Sequence, residues 1–422
     1  MGRSRLPRCR GCLLPLLVVF VLQACDSAGA PTGTLHWDSA GVAVATPVEP
    51  LWGPDEGWTV GEEPLLEIGT AIGDPDYLLD DVIGAVRLSS GDIVLADGGS
   101  GELRRYDRNE TFVWRAAGAG EGPGEHQFLS FLGLLAGDSL VTYDIRLRRV
   151  QIFDAEGELV RTLPVEPPWR GSWPRSAVGV SGRRLIMNFA DGGDMPEGGV
   201  VRWPGIRIAT LDLSGGTIKV VSDFPGQEGV IRRYGKSVAH IDYDFGKGPR
   251  FAVAPGTLAA VDTEAYQIRL FSLEDGRIAR ILHRDIAPPP VTTAHVDAEI
   301  EKYIETNVLY GGVSREQAED MARSRREDPR APTLPVLRSI RLDAGGNLWV
   351  EPFFGAGIDI GPFEVFAADG TWLGSVSVPG GLERGFIPDF APGLEIGDDY
   401  ILGVWRDAQD IQQVRLYPLD KP

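Results

Sequence analysis

The side chains best suited to chemistry recur at one place in a repeated phrase. Asp97 follows Ile93-Val94-Leu95-Ala96, Asp144 follows Leu140-Val141-Thr142-Tyr143, and Asp262 follows Leu258-Ala259-Ala260-Val261. Asn188 and Glu351 stand near the equivalent place in weaker copies. Oxygen ligands drawn from several such phrases suit Ca2+, which takes roughly six to eight of them. The competing reading is local: each aspartate accepts hydrogen bonds from backbone N–H groups of the turn that follows. Arg149, shortly after Asp144, is a candidate partner for that carboxylate. Asn188 and Glu351 break the repeated aspartate, as residues of a ligand site would.

A second group lies between the apolar runs: Trp169, Arg170, Trp173, Arg175, Arg232, Arg233, Tyr234 and Lys236. Aromatic faces beside cations suit capture of a protein, peptide or glycan ligand. Local acids such as Glu166, Glu228, Asp242 and Asp244 offer pairing instead. No pattern names a catalytic residue. The 5 histidines form no H-x-x-x-H pair, which removes a zinc hydrolase built on one helix. No Gly-x-Ser-x-Gly elbow occurs. Gly118 to Glu125 has the glycines of a phosphate loop but includes Pro123 and lacks a following Lys-Ser/Thr, so it reads as a turn between strands.

The chain start carries an address. Arg3, Arg5, Arg8 and Arg10 precede an apolar run from Leu13 to Leu22, and Leu22-Gln23-Ala24-Cys25 follows. A basic head, a short apolar stretch and a small residue make a secretory signal rather than a membrane span. The final four residues resemble the bacterial lipoprotein signal, so residues 1–24 are expected to be removed and Cys25 to carry lipid. Cys9 and Cys12 leave with the signal, and no disulfide remains to be formed. Residues 25–34 read as a tether of small residues. The expected location is the bacterial cell envelope, anchored by the N-terminal lipid and facing the periplasm or the exterior.

The elements that must position these groups are short strands. With 54 Gly and 31 Pro among 422 residues, turns are frequent and long helices disfavoured. The phrase beginning Gly91-Asp92 returns at Gly137-Asp138, about 46 residues on, within the usual range of propeller repeats. Weaker copies start near Leu185, Leu258, Leu348 and Tyr400. Each opens on a continuously apolar strand, as expected where neighbouring sheets cover both faces. The reading is an all-β, six-bladed β-propeller of four-stranded antiparallel blades over residues 35–419. Leu65 to Ile68 is expected to supply the last strand of the final blade. Between Thr292 and Asp328 the spacing turns helical, and Ser314-Arg315-Glu316-Gln317 is a capping box, which predicts an inserted helical hairpin at about 292–328. Ile300, Ile304 and Met321 are expected to face the channel mouth.

The two Gly-Asp…Asp…Arg…Phe/Tyr-Asp units and the Gly118–Glu125 linker resemble the six-bladed propeller family related to NHL repeats, in particular its lipid-anchored bacterial members. The resemblance covers about residues 35–419. It implies a binding platform first; related six-bladed folds include metal-dependent lactonases and lyases. A net charge of -19 excludes nucleic acid as partner. In a four-stranded meander the long connections here all fall on one face, including 223–250, 190–205 and 353–362, so one face is loop-rich. The expected function is therefore a lipid-anchored binding or scaffold module working through that face, with no cofactor. The sequence leans against an enzyme. The alternative is a metal-dependent hydrolase or lyase at the channel mouth, with Asp97, Asp144, Asn188, Asp262 and Glu351 as its Ca2+ ligands.

Overall fold

Each repeated phrase folds as a strand between two sequence neighbours. The computed structural model describes residues 33–421 apart from 54–55, 193–199, 235–236, 310, 327–329, 354–360, 384–392 and 408, and leaves out the side chains of 232–238, 309 and 324–325. Cys25, the signal and most of the tether therefore lie outside the described residues. The chain begins with β1 (Thr34–Ser39), β2 (Val42–Pro47), β3 (Thr59–Val60) and β4 (Leu66–Ile68). Sheet one is β5 (Val82–Arg87), β6 (Ile93–Asp97), β7 (Glu102–Tyr106) and β8 (Phe112–Ala117). Sheet two is β9 (Leu129–Leu134), β10 (Leu140–Asp144), β11 (Arg149–Phe153) and β12 (Leu159–Pro164).

Sheet three runs β13 (Ser172–Ser181), β14 (Arg184–Asp191), then β16 (Gly205–Asp212) and β17 (Ile218–Phe224), with β15 (Val200–Arg202) outside it. β15 joins β18 (Glu228–Tyr234) and β19 (Ser237–Asp242) in a separate three-stranded sheet. Sheet four is β20 (Pro249–Ala254), β21 (Thr257–Asp262), β22 (Gln267–Ser272) and β23 (Ile278–His283), extended by β2 and β1. Helices α1 (Thr293–Leu309) and α2 (Arg315–Arg325) follow. Sheet five is β24 (Leu337–Leu342), β25 (Leu348–Pro352), β26 (Phe363–Phe366) and β27 (Trp372–Val376). Sheet six is β28 (Glu395–Ile396), β29 (Tyr400–Arg406) and β30 (Gln412–Asp420), to which β4 pairs antiparallel, Ile68 against Val414.

The second strand of each sheet explains the packing. β6 and β10 are buried along their whole length, so both faces of each sheet carry apolar cover. Among the described residues, one apolar cluster lies between each pair of consecutive sheets. A further cluster joins sheet six to sheet one, where Leu402, Val404, Val414 and Leu416 meet Val82, Ala85, Ile93 and Leu95 with Ile68 between them. Trp349 and Trp405, both fully buried, fill the junction of sheets five and six. Truncating such an aromatic to alanine costs about 3–5 kcal/mol. The first strands approach one another in the same sequence, β5 beside β9, β9 beside β13, β13 beside β20 and β20 beside β24.

Three features depart from the sequence reading. The connections 190–205 and 223–250 are not plain loops, because β15, β18 and β19 pair there. β1 and β2 form a hairpin whose turn places Ala40 and Gly41 at φ 55 and 87, with Gly41 N donating to Asp38 Oδ1. That hairpin docks on sheet four, with β2 parallel to β23. The helical pair forms as expected, and its capping box is complete: Gln317 N donates to Ser314 Oγ at 3.2 Å, and Ser314 N to Gln317 Oε1 at 2.9 Å. Its apolar stripe points elsewhere than predicted. Ile300 and Ile304 pack on Ala318 and Ala322 of the partner helix, and Met321 is 45% exposed. Two short helices bury their stripes against each other because neither is stable alone. The foot of the pair rests on the loop-rich side, where Val296 and His295 meet Phe245, and Phe245 meets Phe353.

Candidate functional site

The acids that close the second strands have different surroundings. Asp144 accepts four backbone N–H bonds, from Arg146 and Leu147 at 2.8 and 2.7 Å and from Gln127 and Phe128 at 2.6 and 3.0 Å. Arg149 does not pair with it; its guanidinium holds the carbonyls of Glu121, Gly122 and Glu125 in the preceding linker. Asp97 accepts from Ser100 N and Oγ and from Asp80 N, with Arg104 Nη2 at 3.4 Å. Asp262 takes a two-oxygen contact from Arg202 at 2.8 and 2.6 Å and also caps Glu264 N. Asn188 accepts from Ser176 N on the adjoining first strand. Each of these four is engaged within or beside its own sheet.

Glu351 is placed differently. It is 4% exposed near the end of β25 and lies opposite Ser339 of β24. Ser339 Oγ donates to Glu351 Oε2 at 2.8 Å, and Arg338 Nε stands 3.8 Å from Oε1. A bulge between Leu337 and Ser339 lets β24 bring both residues to the carboxylate. Arg341 lies opposite Trp349, so it shares the Ser339 and Glu351 face one step along the strand. Its guanidinium makes one hydrogen bond, Nη1 to the Ile340 carbonyl at 2.9 Å, and among the described residues it has no ion pair. Burial lowers the Arg341 pKa from its ordinary value; Glu351 opposes that shift and Arg338 adds to it.

Lys247 stands at the loop-rich end of neighbouring sheet four, just before β20. It is 7% exposed, and its Nζ donates to Thr333 O at 2.7 Å and Thr333 Oγ1 at 2.9 Å. Arg250 Nε donates to the Arg338 carbonyl at 3.0 Å and ties the first strands of sheets four and five together. Sequence reasoning passed over Lys247, Arg338, Ser339 and Arg341. A signal for three of them existed: β24 reads Leu-Arg-Ser-Ile-Arg-Leu, with two cations on a strand expected to be innermost.

The described loop aromatics each have local partners. Trp169 packs edge-on against Phe189 at 5.5 Å, under the Arg207 guanidinium at 4.8 Å. Trp173 meets Trp203 at 6.3 Å, and Trp203 meets His240 at 6.1 Å. Arg170 is exposed and Arg175 half-buried. Arg232, Arg233 and Tyr234 lie on β18 with side chains outside the description, and Lys236 lies outside the described residues. The metal reading meets an obstacle, because among the described residues no three His, Cys, Asp or Glu side chains gather closely enough to hold one ion. Asp97, Asp144 and Asp262 each have their oxygens taken by N–H groups.

No family model and no curated protein matches the chain. Solved structures do. A member of the DUF4221 family from Bacteroides vulgatus matches with a TM-score of 0.53 at 11% identity, over 87% of this chain and 99% of that one. A gluconolactonase from Xanthomonas campestris matches at 0.42 and 15% identity, over 81% and 87% of the two chains. Virginiamycin B lyase from Staphylococcus aureus matches at 0.40 and 11%, over 86% and 100%. The expectation that leaned against an enzyme finds no support in these matches, several of which are lactonases and lyases. At such identities the likeness concerns the fold alone, and it is propeller-like.

Proposed function

We propose that the chain is a hydrolase or lyase whose site lies toward the loop-rich end of the central channel of a closed six-bladed propeller. Closure is supported by β4 pairing on β30 and by the apolar cluster between sheets six and one. The observation that carries the activity is Glu351 beside Arg341: a buried carboxylate and, on the same face of the sheet, a crowded guanidinium with no ion pair among the described residues. Glu351 is the proton acceptor. In hydrolysis it takes a proton from water, whose oxygen bonds to an ester or lactone carbonyl, and Arg341 holds the resulting oxyanion until the alkoxide leaves with a proton. In elimination it takes the proton beside a carbonyl, the electron pair forms the double bond, and the leaving group departs from the next carbon. Proton transfer of this kind contributes about 10²–10⁴-fold, and a preorganised cation near the developing charge adds to it. No step is drawn through a metal, because the described residues do not form a site for one.

The same proposal keeps the lipid on Cys25 and a place in the cell envelope. A basic, apolar and small-residue start supports that address. The test of the activity is a panel of lactones, esters and β-eliminable substrates assayed with the wild-type chain and with Glu351→Gln. Expected is turnover of at least one class, reduced about 100-fold or more in the variant. Turnover that survives Glu351→Gln, or a wild-type chain inert to every class, removes the reading.

A further inference from the structure

We infer that the channel site takes a small carboxylate-bearing substrate, with Arg341 as the group that receives the carboxylate. The inference rests on the elimination branch of the proposed function, in which the substrate carboxylate is itself the group whose developing charge Arg341 holds, and adds the substrate class. The chain is acidic, with a net charge of -19, and several of its buried or partly buried arginines are matched by acids. Arg104 sits on Asp97 and Glu102, Arg202 on Asp262, and Arg284 on Glu364. Arg341 differs from these three: it is half-buried and has no ion pair among the described residues. Holding a crowded guanidinium without a counter-charge is unfavourable. An arriving anion reverses that, and the planar fork of donors matches a carboxylate by two parallel bonds.

A second cation points the same way. Lys247, at the loop-rich end of the neighbouring sheet, satisfies its Nζ with the carbonyl and hydroxyl of Thr333 and has no acid partner among the described residues. Two unmatched cations on adjoining sheets favour an anion entering from the loop-rich end, in a molecule whose summed charge would otherwise repel it. Glu351 then decides the orientation. Its own negative charge keeps the substrate carboxylate off the Ser339 position and on Arg341. The atoms next to the carboxylate are left facing Glu351, which is where its proton transfer is needed.

The experiment measures binding of lactate, malate and gluconate, each beside its neutral amide, to the wild-type chain by calorimetry. At least one acid is expected to bind about tenfold or more tighter than its amide. Arg341→Met removes that preference, and Arg341→Lys, which keeps the charge and serves as a folding control, retains part of it. Glu351→Gln removes the like charge and tightens acid binding. Equal affinity for every acid and its amide, or a preference that survives Arg341→Met, overturns the inference. The two ideas fail separately. If Glu351→Gln abolishes turnover while acids and amides bind alike, the substrate class is wrong and the function stands. An Arg341-dependent acid preference with turnover intact in Glu351→Gln leaves the anion site standing and removes the proposed function.

Discussion

Sheets two and five each carry an acid near the end of the second strand, one register position apart, and use it in opposite ways. Asp144 is enclosed by four backbone N–H groups from two turns, so its charge is fully committed to holding β9 and β10 in register with the connections around them. Glu351 stands one position earlier, opposite Ser339 as Tyr143 stands opposite Phe131, so it points to the other face of its strand and meets the side chains of β24. The lesson is geometric. In these two sheets an acid at the last position of the second strand serves the backbone, while an acid one position earlier reaches the side chains of the neighbouring strand.

The comparison can be broken first at Glu351. Glu351→Gln is expected to lower kcat/KM by about 10²–10³, roughly 3–4 kcal/mol of barrier. Urea unfolding of the same variant should show a stability change of about 1 kcal/mol or less, because amide and carboxylate fill the same space. Next comes Asp144→Ala, which leaves four N–H groups without their acceptor. Each buried loss is worth about 1–3 kcal/mol, and water reaches some of them, so a destabilisation of about 3 kcal/mol is expected by urea unfolding. Kinetic constants for this variant at low temperature should match wild type. Should Glu351→Gln unfold the chain and Asp144→Ala abolish turnover in folded protein, the contrast between the two sheets is reversed. Asp97→Asn sharpens it at smaller scale: the carboxamide keeps one acceptor for Ser100 or Asp80 but loses its charge against Arg104, for an expected loss of about 1–2 kcal/mol.

The smallest effect is pH-dependent and belongs to sheet two. His126 lies buried between Gly101 O and Thr142 Oγ1, each at 3.0 Å, and burial holds its pKa below the ordinary 6.5. Its folded form is therefore neutral where the unfolded form begins to protonate. Stability is full above pH 6.5 and falls as pH drops below it, by at most about 1.4 kcal/mol per pH unit until the folded pKa is reached. Urea midpoints at pH 7.5 and pH 5.5 measure this, and His126→Gln should flatten the difference. Glu351→Gln should leave that slope unchanged; a slope that follows Glu351 instead would place the titrating group in sheet five.

The strand phrases, the capping box at Ser314 and the strand partner at Leu66–Ile68 were readable because each depends on local pattern or on one unfilled edge. The docking of the β1–β2 hairpin on β23 was not readable. That pairing is parallel and joins residues far apart in the chain, so no turn fixes its register. The β15–β18–β19 sheet was hidden for a related reason, since β15 is three residues long and gains its meaning only from a partner beyond sheet three. The helix stripe was read correctly as apolar and assigned to the wrong neighbour. Periodicity tells which face is buried and is silent on what buries it.

By itself, the sequence determined that this chain is a series of small antiparallel sheets with apolar second strands, because hydrophobic alternation and turn residues act over a few positions. It also determined which slots hold acids. Only the tertiary structure decided which of those acids is consumed by its own backbone and which stands beside Arg341, a guanidinium with no ion pair among the described residues. That choice turns on cross-strand register, a bulge in β24 and the approach of neighbouring sheets, all of which are set by packing between residues distant in sequence.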